Sequence, residues 1–265
     1  MALVEIQNVS KTFKTRVAGA QGEVHALSGV SFSLDRGEIV AITGASGCGK
    51  TTMLRIIMGL EQASGGAVVV NGKTVNACGY DRGMVFQHSE LLPWRNALDN
   101  VAFGLELKGM DKPTRMAEAA RYLDLVGLGH AAERLPHQLS GGMKQRVGIA
   151  RALAIGPDVL LMDEPFGALD AQTREGLQNE LLAIQAKTQQ TIILVTHDLD
   201  EAVLLADRVV VMSRGRVAER LAVRLPRPRP SLAALRGDPE FGDKRLRLWE
   251  LLKTEMDADA RKAAR

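Results

Sequence analysis

The sequence is poor in features that mark secreted, membrane-spanning or nucleic-acid-binding proteins. Only two of its 265 residues are cysteines, Cys48 and Cys78, which is too few for a disulfide framework. No apolar run approaches the roughly 18 residues that span a bilayer, and the N-terminus lacks the pattern of a signal peptide. The net charge is only +3, with the positive excess in residues 221–265. We therefore expect a cytoplasmic chain with reduced thiols and no broad basic face for nucleic acid.

What the sequence does contain is typical of a globular protein. Hydrophobic residues make up 46% of the chain and charged residues 25%, although aromatic residues reach only 4%. These proportions predict one large domain or two small ones with a sizeable core.

The most informative stretch is the phosphate loop, residues 44–51, which matches the pattern G-x-x-x-x-G-K-[ST]. A predicted buried strand precedes it at 38–43, and a predicted helix follows from Thr51. Glycines let backbone N–H groups approach a triphosphate, and the helix N-terminus adds further amides. Lys50 can reach the outer phosphates, and the Thr51 hydroxyl can bind Mg²⁺. The alternative is a glycine-rich turn without a ligand, which the flanking strand and helix make less favourable.

Four segments around this loop predict further strands. Residues 3–9 and 26–34 alternate like half-buried strands, with Phe13 and a Gly/Ala-rich loop between them. Residues 65–73 run into an Asn-Gly turn, which predicts a small antiparallel sheet. Residues 83–87 predict a buried strand that ends on Gln87. Taken alone, Phe13 is more often a core residue than a base-stacking one, and Gln87 a solvated strand end.

Residues 93–154 have a helical pattern, which predicts an inserted all-helical segment. At its end, Ser140-Gly141-Gly142 begins another helix, and a serine with two glycines at a helix start can bind an anion. One nucleotide does not need two such sites in one chain. The segment is therefore either an ordinary helix cap or half of a site that a second copy completes in a head-to-tail dimer.

Two later strands end on polar residues. The apolar strand 159–162 ends on Asp163 and Glu164, which suit a Mg²⁺ ligand and a general base that activates water. Strand 191–195 is followed by His197, which can bond a terminal phosphate. Ligands in open α/β sheets gather at such strand ends, so a purely structural histidine is the less favoured alternative. Asp170 offers a carboxylate that could link the two sites of a dimer.

These motifs together resemble the ATP-binding subunit of an ABC transporter. The resemblance covers about residues 3–220, in family order, and includes Leu139–Met143, Leu160–Glu164 and Ala168–Asp170. It implies an α/β P-loop NTPase core (RecA-like) with a small antiparallel β-subdomain and an inserted α-helical subdomain at about 93–154. Residues 221–265 would form an Arg/Pro-rich extension that ends in a helix.

The resemblance also implies roles for individual residues. Catalytic roles are expected for Glu164, His197 and Gln87. Communication between the two sites of a dimer is expected to involve Asp170. Mg²⁺ is expected to be bound by Thr51, Gln87 and Asp163. ATP binding in cis is expected at Phe13, Gly44, Ala45, Ser46, Gly47, Cys48, Gly49, Lys50, Thr51 and Thr52. ATP binding in trans is expected at Ser140, Gly141, Gly142 and Gln145, where Met143-Lys144-Gln145 is a variant seen in importers.

A narrower resemblance comes from Gln87 and the stretches 91–96, 100–106, 225–229 and 247–252. These are similar to the nitrate/sulfonate/taurine group of bacterial importers. This resemblance implies a homodimer on the cytoplasmic face of the cell membrane, a permease contacted by Leu91–Arg95, and a periplasmic or lipid-anchored solute-binding protein. Two alternatives remain: an ABC exporter subunit, and a soluble ABC-type ATPase of DNA maintenance. The second normally has a long coiled-coil insertion, and the sequence lacks the heptads for one.

Overall fold

The computed structural model describes residues 2–17, 20–227, 229 and 232–263. Pro228 and Pro230 of the predicted Arg/Pro-rich tail lie outside this range. The described chain forms two compact units, one from residues 1–79 and 193–265 and the other from residues 80–192.

The strands are β1 Val4–Val17, β2 Ala20–Leu34, β3 Ile39–Gly44, β4 Gly65–Val70, β5 Lys73–Thr74, β6 Arg82–Val85, β7 Val159–Asp163, β8 Thr191–Val195, β9 Arg208–Ser213 and β10 Arg216–Ala222. The helices are α1 Lys50–Met58, α2 Ala97–Leu107, α3 Lys112–Leu125, α4 Gly141–Ala154, α5 Ala171–Thr188, α6 Leu199–Leu205, α7 Leu232–Arg236 and α8 Pro239–Ala263. Short 3₁₀ turns lie at Gly129–Ala131 and Pro136–Gln138.

The first unit contains the predicted antiparallel sheet, in the order β2-β1-β4-β5. Its turn residues Asn71 and Gly72 have φ of 49° and 75°, the left-handed conformation that a tight hairpin turn requires. One detail differs from the prediction: β1 continues past the predicted strand end at residue 9, so Phe13 lies within β1, opposite Val24 of β2. The β-forming residues Thr12, Phe13 and Thr15 favour extension of the hairpin past the predicted strand ends.

The same unit holds the strand that leads into the phosphate loop. All six residues of β3 are buried. β3 pairs in parallel with β9, and β9 pairs antiparallel with β10. A fully apolar strand of this kind is typical of parallel sheets covered on both faces. Further along the chain, α8 packs against α6 and buries Phe241 and Leu248.

The second unit pairs β6 with β7 in parallel and packs α2, α3 and α4 against one another. These helices occupy the region 93–154 in which the sequence predicts helices. α3 ends at Leu125, and Gly127 follows with φ of 68°, the left-handed conformation that stops a helix. Helix α8 covers Pro239–Ala263, whereas the domain boundary at residue 220 stays a prediction. None of the helices within the described residues is both long and apolar enough to cross a bilayer.

Candidate functional site

The phosphate loop of the first unit is closed by its own lysine. Lys50 is 8% exposed, and its Nζ donates to the carbonyl oxygens of Gly44 at 2.7 Å and Ala45 at 3.0 Å. The Cys48 N–H donates to Ala45 O at 3.3 Å. The loop therefore has a defined conformation in which an ammonium group lies among backbone carbonyls.

The loop glycines are required for two different reasons. A Cβ on Gly44 would lie 2.2 Å from Met212 O, and a Cβ on Gly49, where φ is +102°, would lie 2.6 Å from Ala26 O. At Gly47 φ is +78°, but no atom of the described residues lies within 4 Å of a Cβ position. Gly44 and Gly49 thus allow close packing, whereas Gly47 supplies only backbone conformation.

The helix that follows the loop presents its N-terminus as an anion site. Its N-cap is Gly49, which has no side chain to bond the first amides, and the first turn consists of Lys50, Thr51 and Thr52. The N–H groups of a first helical turn, the positive end of the helix dipole and a nearby ammonium group all favour a phosphate at this point.

Cys48 is a buried thiol inside the loop. Its Sγ lies 3.9 Å from Lys50 Nζ, and its backbone oxygen accepts from the Gly215 N–H at 3.1 Å. Burial raises the pKa of the Cys48 thiol, and the charge of Lys50 partly opposes that rise. Cys48 is therefore less ionised than an ordinary cysteine. Cys78, in contrast, is exposed.

Two further predicted residues lie in the first unit. Phe13 is half-buried, which argues against a simple core role, and the Lys11 ammonium lies 4.8 Å from its ring centroid. His197 is exposed in the turn after β8. The Thr196 hydroxyl orders this turn, because it donates to the buried Glu201 carboxylate at 2.5 Å and accepts from the Asp198 N–H at 3.0 Å.

The predicted base and the predicted glutamine lie close together in the second unit. A Cβ on Gly167 would lie 3.4 Å from Gln87 Nε2 and 3.9 Å from Glu164 Oε2, so both side chains border this glycine. Glu164 has φ of +47°, an unusual value for a non-glycine residue and one often found at functional sites. Asp163 ends β7 and is half-buried.

Ser140, Gly141 and Gly142 begin α4 as predicted. Ser140 is the N-cap, and its Oγ accepts from the Met143 N–H at 3.3 Å. A Cβ on Gly142 would lie 2.5 Å from Thr173 Cγ2, so this glycine allows α4 to approach α5. Ser140, Gly142, Gln172 and Thr173 line an open cavity of about 430 Å³.

Asp170 caps α5 beside this cavity. Its carboxylate accepts from the Thr173 N–H at 3.0 Å, and the hydrogen bonds to Thr173 lower the pKa of Asp170. Asp170 therefore stays ionised at the start of α5, where the helix dipole also favours negative charge.

Gln145 has a different partner from the one the resemblance implies. It is 3% exposed, and its Nε2 donates to Phe86 O at 3.1 Å. The side chain points into the unit because it lies on the buried face of α4, and its contact with a nucleotide of a second copy stays a prediction.

Sequence reasoning missed two polar residues that hold the segment after β6. Asn100 is fully buried: its Oδ1 accepts from Leu92 N, and its Nδ2 donates to the carbonyls of Leu92, Arg95 and Asn96. Arg151 donates to Ser89 O at 2.7 Å and Glu90 O at 2.8 Å. The available signal was a polar residue among the apolar positions of a predicted helix. Trp94, in the same segment, is 73% exposed.

Comparisons with known proteins agree with this arrangement. The family model described as ABC transporter matches residues 27–167. The chain is 45% identical to the nitrate import ATP-binding protein NrtD of Synechocystis sp. over 90% of each chain. It is 46% identical to the bicarbonate transport ATP-binding protein CmpC of Synechococcus elongatus, over 85% of this chain and 34% of that protein.

A solved structure supports the same conclusion. The dimeric structure of a post-hydrolysis state of the ATP-binding cassette MJ0796, bound to ADP and Pi, superposes with a TM-score of 0.73. The two chains are 35% identical, and the match covers 83% of this chain and 99% of the cassette. The predicted P-loop NTPase fold is thereby confirmed. The chain belongs to the ABC transporter family, as a nucleotide-binding protein that hydrolyses ATP.

Proposed function

We propose that this chain powers a bacterial importer of a small anionic solute, of the nitrate, sulfonate or taurine type, by closing head to tail with a second copy around ATP. The observation that carries this proposal is a second anion-binding helix start, at Ser140–Gly142, in a chain that already has a complete phosphate loop. Nitrate and bicarbonate, the solutes in the names of the two relatives, are both small anions, and the related cassette was solved as a dimer.

In this proposal the phosphate loop binds the triphosphate in cis. The backbone N–H groups of residues 44–52 surround the phosphates, Lys50 exchanges its carbonyl partners for phosphate oxygens, and Phe13 stacks on adenine. Ser140, Gly141 and Gly142 of the second copy bind the terminal phosphate, and Asp170 links the two sites. Gln145 is left out of this set because its amide is bonded to Phe86.

The donor set fits Mg²⁺. Thr51, Gln87 and Asp163 offer a hydroxyl, an amide oxygen and a carboxylate, and hard oxygen donors are the ligands that Mg²⁺ prefers. When bound, Mg²⁺ would neutralise charge on the phosphates.

Hydrolysis in this proposal depends on Glu164, which accepts a proton from the attacking water as the water oxygen forms a bond to the γ-phosphorus. The bond from the γ-phosphorus to the β–γ bridging oxygen breaks in the same reaction, and its electron pair leaves with ADP. Gln87 orients that water, and its amide borders Gly167 together with the Glu164 carboxylate. His197 donates to the γ-phosphate. Because ATP is bound from both sides only in the closed dimer, its binding energy favours closure, and hydrolysis releases it.

The permease contact in this proposal is Leu91–Arg95. Trp94 is exposed there, although Asn100 holds the surrounding backbone, and a rigid exposed aromatic is typical of an interface residue. A periplasmic or lipid-anchored binding protein delivers the solute, which this chain does not contact.

The first test is ATP-driven dimer formation. Glu164→Gln should bind ATP and migrate as a dimer in gel filtration, because the glutamine cannot accept the proton and the closed state persists. Glu175→Gln, a half-buried carboxylate of α5 outside the proposed site, is the matched control and should cycle like the parent protein. A Glu164→Gln monomer at saturating ATP would contradict the assignment.

The second test is partner capture. The tagged chain, purified from solubilised membranes of its own source, should bring along a polytopic membrane protein in near-equal amount. Trp94→Glu should lose that partner, whereas Trp249→Glu, another exposed tryptophan, should keep it. If only soluble proteins or nucleic acid were captured, the importer assignment would be wrong, although the assignment as an ATPase would stand.

A further inference from the structure

The segment that carries Leu91–Arg95 is attached to one face of α4. We call residues 86–96 the docking segment. Gln145 donates to Phe86 O at 3.1 Å, and Arg151 donates to Ser89 O at 2.7 Å and Glu90 O at 2.8 Å. Between them, the Cβ position of Gly148 lies 3.5 Å from Ser89 Cβ. Residues 145, 148 and 151 are three apart, so they share a face of the helix.

These attachments are costly to break. Gln145 is almost completely buried, and burial lowers the pKa of Arg151. A buried donor that loses its acceptor pays a desolvation penalty, and the penalty is larger for a charged group. Glu90 has φ of +45°, a conformation that persists only where the surroundings hold it, and Arg151 bonds its carbonyl.

The other end of the docking segment is attached to α2. The Asn100 side chain makes four hydrogen bonds to the backbone of Leu92, Arg95 and Asn96, and α2 packs against α4. The segment is therefore bonded along its length to two helices that contact each other. A rotation of α4 cannot leave the segment behind without breaking several of these bonds.

We propose that Gln145 and Arg151 are positioning residues that join the nucleotide-binding start of α4 to the docking segment. Capture of a nucleotide at Ser140–Gly142 and displacement of Leu91–Arg95 are then one movement. This inference rests on the proposed function, in which that nucleotide is held by a second copy. Neither side chain touches the nucleotide: α4 transmits the displacement because a packed helix moves as a rigid element.

The two tryptophans of the sequence, Trp94 and Trp249, make the movement measurable. Trp249→Phe leaves Trp94 as the reporter inside the docking segment. In a Glu164→Gln/Trp249→Phe protein, ATP should change the quenching of Trp94 by acrylamide as the dimer forms. With Arg151→Met added, the dimer should still form, but the ATP-dependent change should fall by about threefold or more.

Two further variants make the result specific. Arg151→Lys keeps the charge, but an ammonium group lacks the planar guanidinium geometry that bonds both carbonyls, so the Trp94 response should be intermediate. This variant also provides the test if Arg151→Met fails to fold. Arg121→Met, on α3, removes an arginine that bonds Glu118 of its own helix and should keep the full response. The ATP concentration that gives half-maximal dimer formation should stay the same in all three.

Three outcomes would contradict the inference, and only the last of them would also contradict the proposed function. A full Trp94 response in the ATP-bound dimers of the Arg151 variants would overturn the inference. So would a parent protein that dimerises with ATP while Trp94 does not respond, although the proposed function would stand. A parent that does not dimerise would overturn the proposed function, and the inference with it.

Discussion

The phosphate loop and the docking segment both follow a buried strand, β3 and β6 respectively, but they are held in different ways. Lys50 bonds to the carbonyls of Gly44 and Ala45, no more than six residues away. One end of the docking segment is held by Gln145 and Arg151, whose hydrogen bonds span 59 to 62 residues, and the other end by Asn100, four to eight residues away. The comparison teaches that a site whose lysine bonds within its own loop can be recognised as a motif, whereas hydrogen bonds from residues some sixty positions away leave no motif in the sequence.

The largest expected effect tests the self-contained loop. Lys50→Ala removes the ammonium group that orders the loop and meets the phosphates, so kcat for ATP hydrolysis should fall about 100-fold or more. Steady-state phosphate release measures it. Arg55→Ala, on the exposed face of α1, should hydrolyse ATP normally, and wild-type turnover by Lys50→Ala would remove the phosphate-loop assignment.

A second change separates the two roles of glycine in that loop. Gly49→Ala forces a Cβ to within 2.6 Å of Ala26 O, so it should lower the free energy of unfolding by about 3 kcal/mol. Gly47→Ala meets no such neighbour and should cost about 1 kcal/mol from backbone strain. Urea unfolding measures both. Equal losses would show that close packing is not why Gly49 is required.

The docking segment should respond to a change that leaves the loop intact. Asn100→Ala deletes a buried amide with four hydrogen bonds, so the free energy of unfolding should fall by about 2 kcal/mol. ATP affinity should not change, because the phosphate loop makes its own bonds. Asn179→Ala, on the exposed face of α5, is the control and should cost less than about 0.5 kcal/mol. Lower ATP affinity in Asn100→Ala would mean that the two regions are not held independently.

The smallest effect concerns the loop thiol. Because the thiolate is the reactive form and burial raises the pKa of Cys48, iodoacetamide should modify the exposed Cys78 first at pH 8. Modification of Cys48 should accelerate as pH rises, since a raised pKa shifts its ionisation to higher pH, and ATP should protect it. Peptide mass spectrometry follows both sites. Faster modification of Cys48 than of Cys78 would contradict its burial in the loop.

Most of the fold could be predicted because its elements are coded locally. The apolar run of β3, the Asn71-Gly72 turn and the Gly127 helix stop each depend on neighbouring residues, and each lies where expected. The predicted end of the first strand, at residue 9, was wrong, because the pairing of β1 with β2 extends a hairpin past Phe13 that neither strand pattern indicates alone.

The order of residues is sufficient to predict the phosphate loop, the acids that end β7 and the histidine after β8. Each of these motifs lies at the end of one buried strand, so its residues can be recognised from their spacing along a short stretch of sequence. Folding alone decides that Gln145 points to Phe86, that Gln87 and Glu164 meet at Gly167, and that Asn100 and Arg151 hold the docking segment. A buried polar side chain must find its partner wherever packing places one, and that partner can lie some sixty residues away.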